Sequence, residues 1–346
     1  MSELSTHSGL PRATDAPRHI IPIAVAGAAS AASAHRRQRQ RLALQVGFFV
    51  LFVLAPVFDL FRYDLDADHA WLLGMEWRLG LDDFLAGKAS ALEAAGNIIL
   101  RLFVPLLTGA ALLLGVAWKW GRLYCGWLCP HFSVVETINK LMTRASGKPS
   151  VWETSALPPW KADGSKLRVD TRWWGVVVPA AVGFAFLWAV VLLTYLLPPA
   201  EVYGNLFHGE LTRNQFIFIT AATVVLSFEF LFARHLFCRF VCAVGLFQSL
   251  AWMGNKNAMV VGFKRERASD CSSCLPDRQS ACDAVCPMRL RPRTIKRHMF
   301  TCTQCAQCVD ACAETQRDNP NGPLLSWVSG EAARQNEAGF RTVRER

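Results

Sequence analysis

Four long apolar stretches divide the chain, at 42–61, 97–118, 173–197 and 216–237. Each is long enough to cross the ~30 Å hydrocarbon layer as a helix rising 1.5 Å per residue. The third carries no charge, the first contains Pro56, the second holds Arg101 near one end and the fourth holds Glu229. The polar remainder predicts less regular structure. Residues 1–41 are expected to form a flexible tail. The apolar run 20–34 is rich in Ala and Ser and meets Arg36, Arg37, Arg39 and Arg41 at once, which argues against a cleaved export signal. Residues 143–172, with Pro149, Pro158, Pro159 and Gly164, predict an irregular connection. In 61–96, Trp71, Trp77 and Phe84 are expected at a membrane interface. The tail 319–346 is polar and expected to be loosely ordered.

Charge orients the spans. The chain has 37 Lys and Arg against 27 Asp and Glu, a formal net charge of +10. All but Arg62, Arg78, Lys88, Arg101 and Arg213 fall in 1–41, 119–172 and 234–346. The positive-inside rule then places both termini in the cytoplasm, and the basic balance needs no nucleic acid to explain it. The hydrophobic share of 52%, with 22 Phe and 12 Trp, fits a membrane chain.

The twelve cysteines are all in close pairs or quartets. Cys302, Cys305, Cys308 and Cys312 follow C-x2-C-x2-C-x3-C, the spacing that wraps a [4Fe–4S] cube. Cys271, Cys274, Cys282 and Cys286 keep the C-x2-C start and the C-x3-C-P end with Pro287, but carry an insert at 275–281. If ligands cross over as in two-cluster ferredoxins, one cube takes Cys271, Cys274, Cys282 and Cys312. The other takes Cys302, Cys305, Cys308 and Cys286. Zinc is the alternative for tandem pairs, and would make the chain a zinc-stabilised membrane scaffold. Between the motifs, Arg289, Arg291, Arg293, Lys296, Arg297 and His298 read as a solvated basic face or a docking site for an acidic partner or anionic lipid.

Four further cysteines sit where two spans end: Cys125 and Cys129, then Cys238 and Cys242, each pair C-x3-C. On a helix, positions i and i+4 share a face, so each pair is expected to present two sulfurs together. The options are a third metal centre, iron–sulfur or copper, or a redox dithiol. Otherwise they are small core residues. Neighbouring His131 and His235 are expected to be interfacial polar residues, with extra ligation as the alternative. Glu229, an intramembrane carboxylate, is a proton-transfer candidate for a quinol, or else a hydrogen-bonded residue near the span's end. No C-x-x-C-H occurs and no span has a mid-membrane histidine, so no haem is assigned, and no flavin site is read.

The segments GRLYCGWLCP (121–130) and FCRFVCAVGLFQS (237–249), with the paired ferredoxin motifs, resemble the membrane polyferredoxins that include the CcoG (FixG/RdxA), NapH and NosR families. Phe247-Gln248-Ser249, and Glu136 seven residues after Cys129, are most similar to the CcoG type, here without that type's C-terminal extracytoplasmic domain. The resemblance implies a bacterial inner-membrane protein that moves electrons between cytoplasmic clusters and a redox partner or the quinone pool. The CcoG likeness implies an alternative, Cu(II) reduction with copper-delivery or oxidase-assembly partners. The expected fold is an α-helical membrane protein with four transmembrane helices (42–255) and a cytoplasmic α+β ferredoxin-like domain with two [4Fe–4S] clusters (256–318).

Overall fold

The computed structural model of the chain describes residues 26–233, 235–276 and 279–342. Helix α1 (Ala26–Leu54) begins inside the segment expected to be a loose tail, of which 1–25 lie outside the described residues. It stops just before Pro56, which cannot continue a helix and restricts the residue before it. The apolar part of α1 from residue 42 is thus only about 20 Å long. Among the described residues three helical runs are long and apolar enough to cross a membrane: Ala91–Trp120, Thr171–Thr194 and Arg213–Ala233. α1 lies beside the second of these, with Phe49 against Phe184, Phe52 against Trp188, and the Tyr195 hydroxyl donating to the Phe52 carbonyl at 2.8 Å.

After α1 the chain forms an antiparallel sheet of β1 (Phe61–Asp64), β2 (His69–Leu72) and β3 (Met75–Trp77), where the pattern had predicted only interfacial aromatics. Phe61 faces Leu72 and Ala70 faces Trp77. The Arg62 guanidinium covers the Trp71 ring, and the Trp77 indole donates to the Arg101 carbonyl at 2.9 Å. Phe84 lies on α2 (Leu81–Leu85) and is exposed. The sheet is anchored by Tyr63 and Leu65, whose N–H groups donate to the carbonyls of Tyr195 and Leu196.

The first spanning run comprises α3 (Ala91–Ile98), a π-helical turn (Ile99–Phe103) and α4 (Val104–Trp120). A capping box starts it. The Ser90 hydroxyl accepts from the Glu93 N–H, and the Glu93 carboxylate accepts from the Ser90 N–H. Gly121, at φ 73°, ends it. Then come α5 (Leu123–Trp127), α6 (Pro130–Ser146) and the irregular connection, which holds one bridge, Trp160 to Lys166. α7 (Trp174–Thr194) and α8 (Pro199–His208) lead to α9 (Arg213–Phe228), which Thr212 starts with a second capping box on Gln215 and which continues as a π turn to Ala233. Ala181, Ala185 and Ala189 on α7 are fully buried at helical spacing. This small-residue stripe lets α9 approach closely, packing Ile219, Leu226 and Phe230 against it.

α10 (Ala243–Gly254) packs on α4 and leads to β4 (Val260–Phe263). Two short helices, α11 (Ala281–Ala284) and α12 (Gln307–Thr315), carry the ferredoxin motifs. β5 (Leu325–Val328) then returns to pair antiparallel with β4, and α13 (Glu331–Thr342) closes the domain. The expected loose tail is therefore a strand and a helix. Leu324 and Leu325 are buried, and Asn336 accepts from the Phe263 N–H. Among the described residues of this region, β4 and β5 form one strand pair.

Candidate functional site

The Cys302 loop curls because Gln304 and Ala306 adopt left-handed backbone (φ 52° and 61°). Alternating handedness turns successive N–H groups to one side, forming a concavity that favours anions. The backbone amides of Gln304 and Gln307 act on the Cys302 and Cys305 thiols, opposing the rise that burial imposes on them. From the other motif, the Leu290 N–H donates to the Cys286 sulfur at 3.3 Å. Cys286, Cys302, Cys305 and Cys308 line one cavity, walled by Met288, Leu290 and Met299.

Cys271, Cys274, Cys282 and Cys312 line a second cavity with Phe263, Leu324 and Leu325. The Ser280 hydroxyl lies 3.2 Å from the Cys282 sulfur, and the amides of Leu325 and Leu324 act on the Cys312 thiol against the rise that burial imposes. The insert does not pull Cys282 away. Its ends, Leu275 and Ala281, are buried together with Ala311 against Trp160 and Ala162 of the irregular connection, while Asp277 and Arg278 lie outside the described residues. The two cavities thus divide the eight cysteines in the crossed-over sets.

The four membrane-edge cysteines also converge, although not as i and i+4 on one helix face. The second cysteine of each pair is an N-cap with extended backbone: Cys129 (φ −58°, ψ 118°) opens α6, and Cys242 (φ −65°, ψ 107°) opens α10. The two C-x3-C segments are therefore a structural repeat. Pro130 and Ala243 both stand at the first helical position, where proline is favoured and not required. The amides of Phe132 and His131 act on the Cys129 thiol against the rise that burial imposes, and the Cys125 thiol donates to Gln248 Oε1 at 3.6 Å. Electrostatic coupling links Cys129 and Cys238 to the other members of the quartet.

This quartet and the Cys302 cavity share one core. Cys129, Cys238, Cys286 and Cys302 pack with Phe132, Trp252, Met288 and Met299. Backbone meets backbone at Gly126, where a Cβ would fall 2.2 Å from the Thr303 carbonyl oxygen. The Trp127 indole donates to the Gln304 carbonyl at 2.9 Å. Behind this contact, Arg41 Nε donates to the Gly126 carbonyl at 2.7 Å, and the Arg41 guanidinium forms a bidentate pair with Glu136. Glu136 also accepts from Gln45, Lys140 and Gln307. Burial alone would raise its carboxyl. Arg41 and Lys140 overcome that and hold it at about 2. Sequence reading singled out Glu136 by resemblance only, and Arg41, Arg122 and Gly126 not at all as site residues. Their signal lies in placement, the last Arg of a basic run where the apolar part of a helix begins, and the Arg and Gly flanking Cys125.

The remaining candidates resolve as follows. Glu229, at the start of the π turn, meets His131 (Oε1 to Nε2, 2.8 Å), whose ring is surrounded by Trp188, Phe230 and Phe237. His235 is buried, with Nε2 at 3.1 Å from the Asn139 amide. Neither histidine is a simple interfacial residue. Half of the basic stretch is consumed internally: Arg289 pairs with Glu153, Arg293 with Asp283, and the Lys296 ammonium donates to the carbonyls of Trp252 and Asn255, while Arg291, Arg297 and His298 are exposed. Burial pushes Lys296 down to about 8.

The residues fit iron–sulfur cubes. Each ferredoxin cavity offers four thiols, N–H donors to sulfur and apolar walls. Burial pushes Cys286 up to about 11, Cys282 to about 12 and Cys302 higher, so without a metal these sulfurs stay protonated. At the membrane edge burial likewise takes Cys129 up to about 12.

Comparison with known proteins agrees at this level. A family described as "4Fe-4S binding domain" matches residues 102–149 and 214–258. Those segments carry Cys125 and Cys129, and Cys238 and Cys242, and lie outside the Cys271–Cys312 stretch. The chain is 26% identical over 234 residues to the "Putative electron transport protein YccM" of Escherichia coli (strain K12), covering 66% of this chain and 56% of that protein. It is 23% identical over 219 residues to "Uncharacterized protein MJ0750" of Methanocaldococcus jannaschii, covering 63% and 77%. It thus spans little more than half the length of the first of these relatives. No solved structure matches. Two stretches of the chain thus match a 4Fe–4S binding domain family, the described residues include apolar helices fit for a membrane, and the chain is similar to a protein named for electron transport.

Proposed function

We propose that the chain is a membrane-anchored iron–sulfur electron-transfer protein, with three sulfur sites in series. The distal site is Cys271, Cys274, Cys282 and Cys312, and the middle one is Cys286, Cys302, Cys305 and Cys308. The quartet of Cys125, Cys129, Cys238 and Cys242 forms the membrane-edge site. The observation that carries this reading is the shared core of Cys129, Cys238, Cys286 and Cys302. Bound cubes supply one-electron storage, at potentials set by burial and N–H···S bonds. The protein fixes the sulfurs, excludes water and holds the middle site against the membrane edge. The concentration of Lys and Arg on the cluster-bearing segments supports a cytoplasmic placement. Among the described residues no three Cys, His, Asp or Glu gather closely enough to hold a single ion. That favours a cluster with one sulfur per iron over a mononuclear zinc, whose Zn–S bonds are only ~2.3 Å.

Anaerobic purification tests it. About twelve iron atoms are expected, falling to about eight when Cys125, Cys129, Cys238 and Cys242 become serine. Copper lost in place of iron would favour the copper-reducing reading, and zinc without labile sulfide would favour the scaffold.

The electron partner on this reading is a quinone. Oxidising a hydroquinone releases two electrons, one to each of two one-electron centres, and two protons, of which one is taken at Glu229 Oε1 in the Glu229–His131 pair beside the membrane-edge site and the other passes to water at the membrane surface. Glu229→Gln should slow hydroquinone-driven reduction about 100-fold and leave dithionite reduction unchanged. An unaltered hydroquinone rate would remove Glu229 from this role.

A further inference from the structure

One side chain outside the ligand sets faces two of the sulfur sites. Arg122, at the N-cap of α5, is 1% exposed. Its Nη2 donates to the Cys238 carbonyl at 2.7 Å, and its positive charge acts on Cys125, opposing the rise that burial imposes on that thiol. Its charge also acts on Cys238 and on Cys302 of the middle site. The head group fits only because residue 245 is glycine, where a Cβ would lie 2.3 Å from Nη2. Arg122 Nε, Gln248 Nε2 and Ser249 Oγ are buried with no hydrogen-bond partner.

Among the described residues, the salt bridges include no carboxylate paired with Arg122. A buried guanidinium without an anion is strongly unfavourable, so this site expects negative charge that the polypeptide does not provide. Clusters held by four thiolates provide it. The geometry points to Arg122 as the shared counter-charge of the membrane-edge and middle sites, a positioning residue that favours the reduced, more negative state of both. Each electron added to a centre adds one negative charge beside a fixed cation, with no proton moved. For the membrane-edge site the inference rests on the iron–sulfur reading above. For the middle site it rests on the ferredoxin motif.

The test is an EPR-monitored redox titration of full-length wild type, Arg122→Gln and Arg122→Lys, with signals assigned by replacing each cysteine set in turn. Arg122→Gln should lower the reduced-to-oxidised ratio about tenfold at both near centres, which is 59 mV for one electron. The Cys271 centre should not move, and Arg122→Lys should recover most of the shift. Unchanged ratios at both near centres, or one equal shift at all three, would overturn the inference. If the glutamine variant loses iron, the lysine variant must keep it, and equal loss would reduce Arg122 to a packing residue. A wild type holding only eight iron atoms would remove the membrane-edge reading instead, and the shift at the Cys302 centre alone would then decide.

Discussion

Gly126→Ala is expected to separate the ferredoxin loop from the membrane edge. The added methyl would lie 2.2 Å from the Thr303 carbonyl oxygen and 3.4 Å from the Cys305 amide nitrogen. Both are backbone atoms of a loop fixed by its cysteines, so no side chain can swing aside. Overpacking of this kind costs about 3 kcal/mol. It falls on the contact that joins the middle site to Cys125, and leaves the Cys271 cavity untouched. Heating the variant should release iron from the Cys302 site at a lower temperature than in the wild type, with the Cys271 signal unchanged. Gly183→Ala is the control, since no atom lies within 4 Å of its Cβ. Equal iron retention in both variants would mean that the loop does not depend on this contact.

Glu136→Gln is expected to be the most destabilising single change in the polar interior. It leaves Arg41, 2% exposed, without its charge partner, and breaking a buried pair from one side costs about 3–5 kcal/mol. The loss spreads over three parts of the fold, because Glu136 joins α1 through Arg41 and Gln45, α6 through Lys140, and the cluster loop through Gln307. The pH dependence follows from its depressed carboxyl, held at about 2 against an ordinary ~4.3. A depressed carboxyl contributes its full stability above ~4.3 and loses it as pH falls toward 2. The stability gap between wild type and variant should therefore be constant from pH 8 to pH 5 and shrink below ~4.3. Thermal unfolding in detergent measures it. A gap that already closes between pH 8 and pH 5 would assign the stability to another group.

Much of the site was legible as spacing. The crossed-over sets follow from C-x2-C-x2-C-x3-C and C-x3-C-P, and the structure gathers the same two sets around two cavities. The quartet was legible as a repeat, but its local geometry was not. Helical periodicity suggested i, i+4 sulfurs on one face, whereas Cys129 and Cys242 leave the helix and cap the next one. The first span was overestimated because apolar composition runs through Pro56 while the helix cannot. The ordered C-terminal segment was missed for a related reason. The apolar residues Leu324, Leu325, Trp327 and Val328 form a stretch too short to define an element alone, and the strand exists because β4, some sixty residues earlier, offers an edge to pair with. Arg41, Arg122 and Gly126 were not readable as functional, since their meaning comes from long-range neighbours such as Glu136, Cys238 and Thr303.

The central claim is that the membrane-edge quartet and the Cys302 site hold adjacent centres on one electron path. The most direct test is the EPR spectrum of the anaerobically purified chain, reduced fully and then with the quartet cysteines changed to serine. Two paramagnets packed in one core should broaden and split each other's signals, and the serine variant should return the Cys302 centre to a simple, uncoupled spectrum. Uncoupled signals already in the wild type, accounting for eight iron atoms and unaltered by the serine changes, would contradict the account.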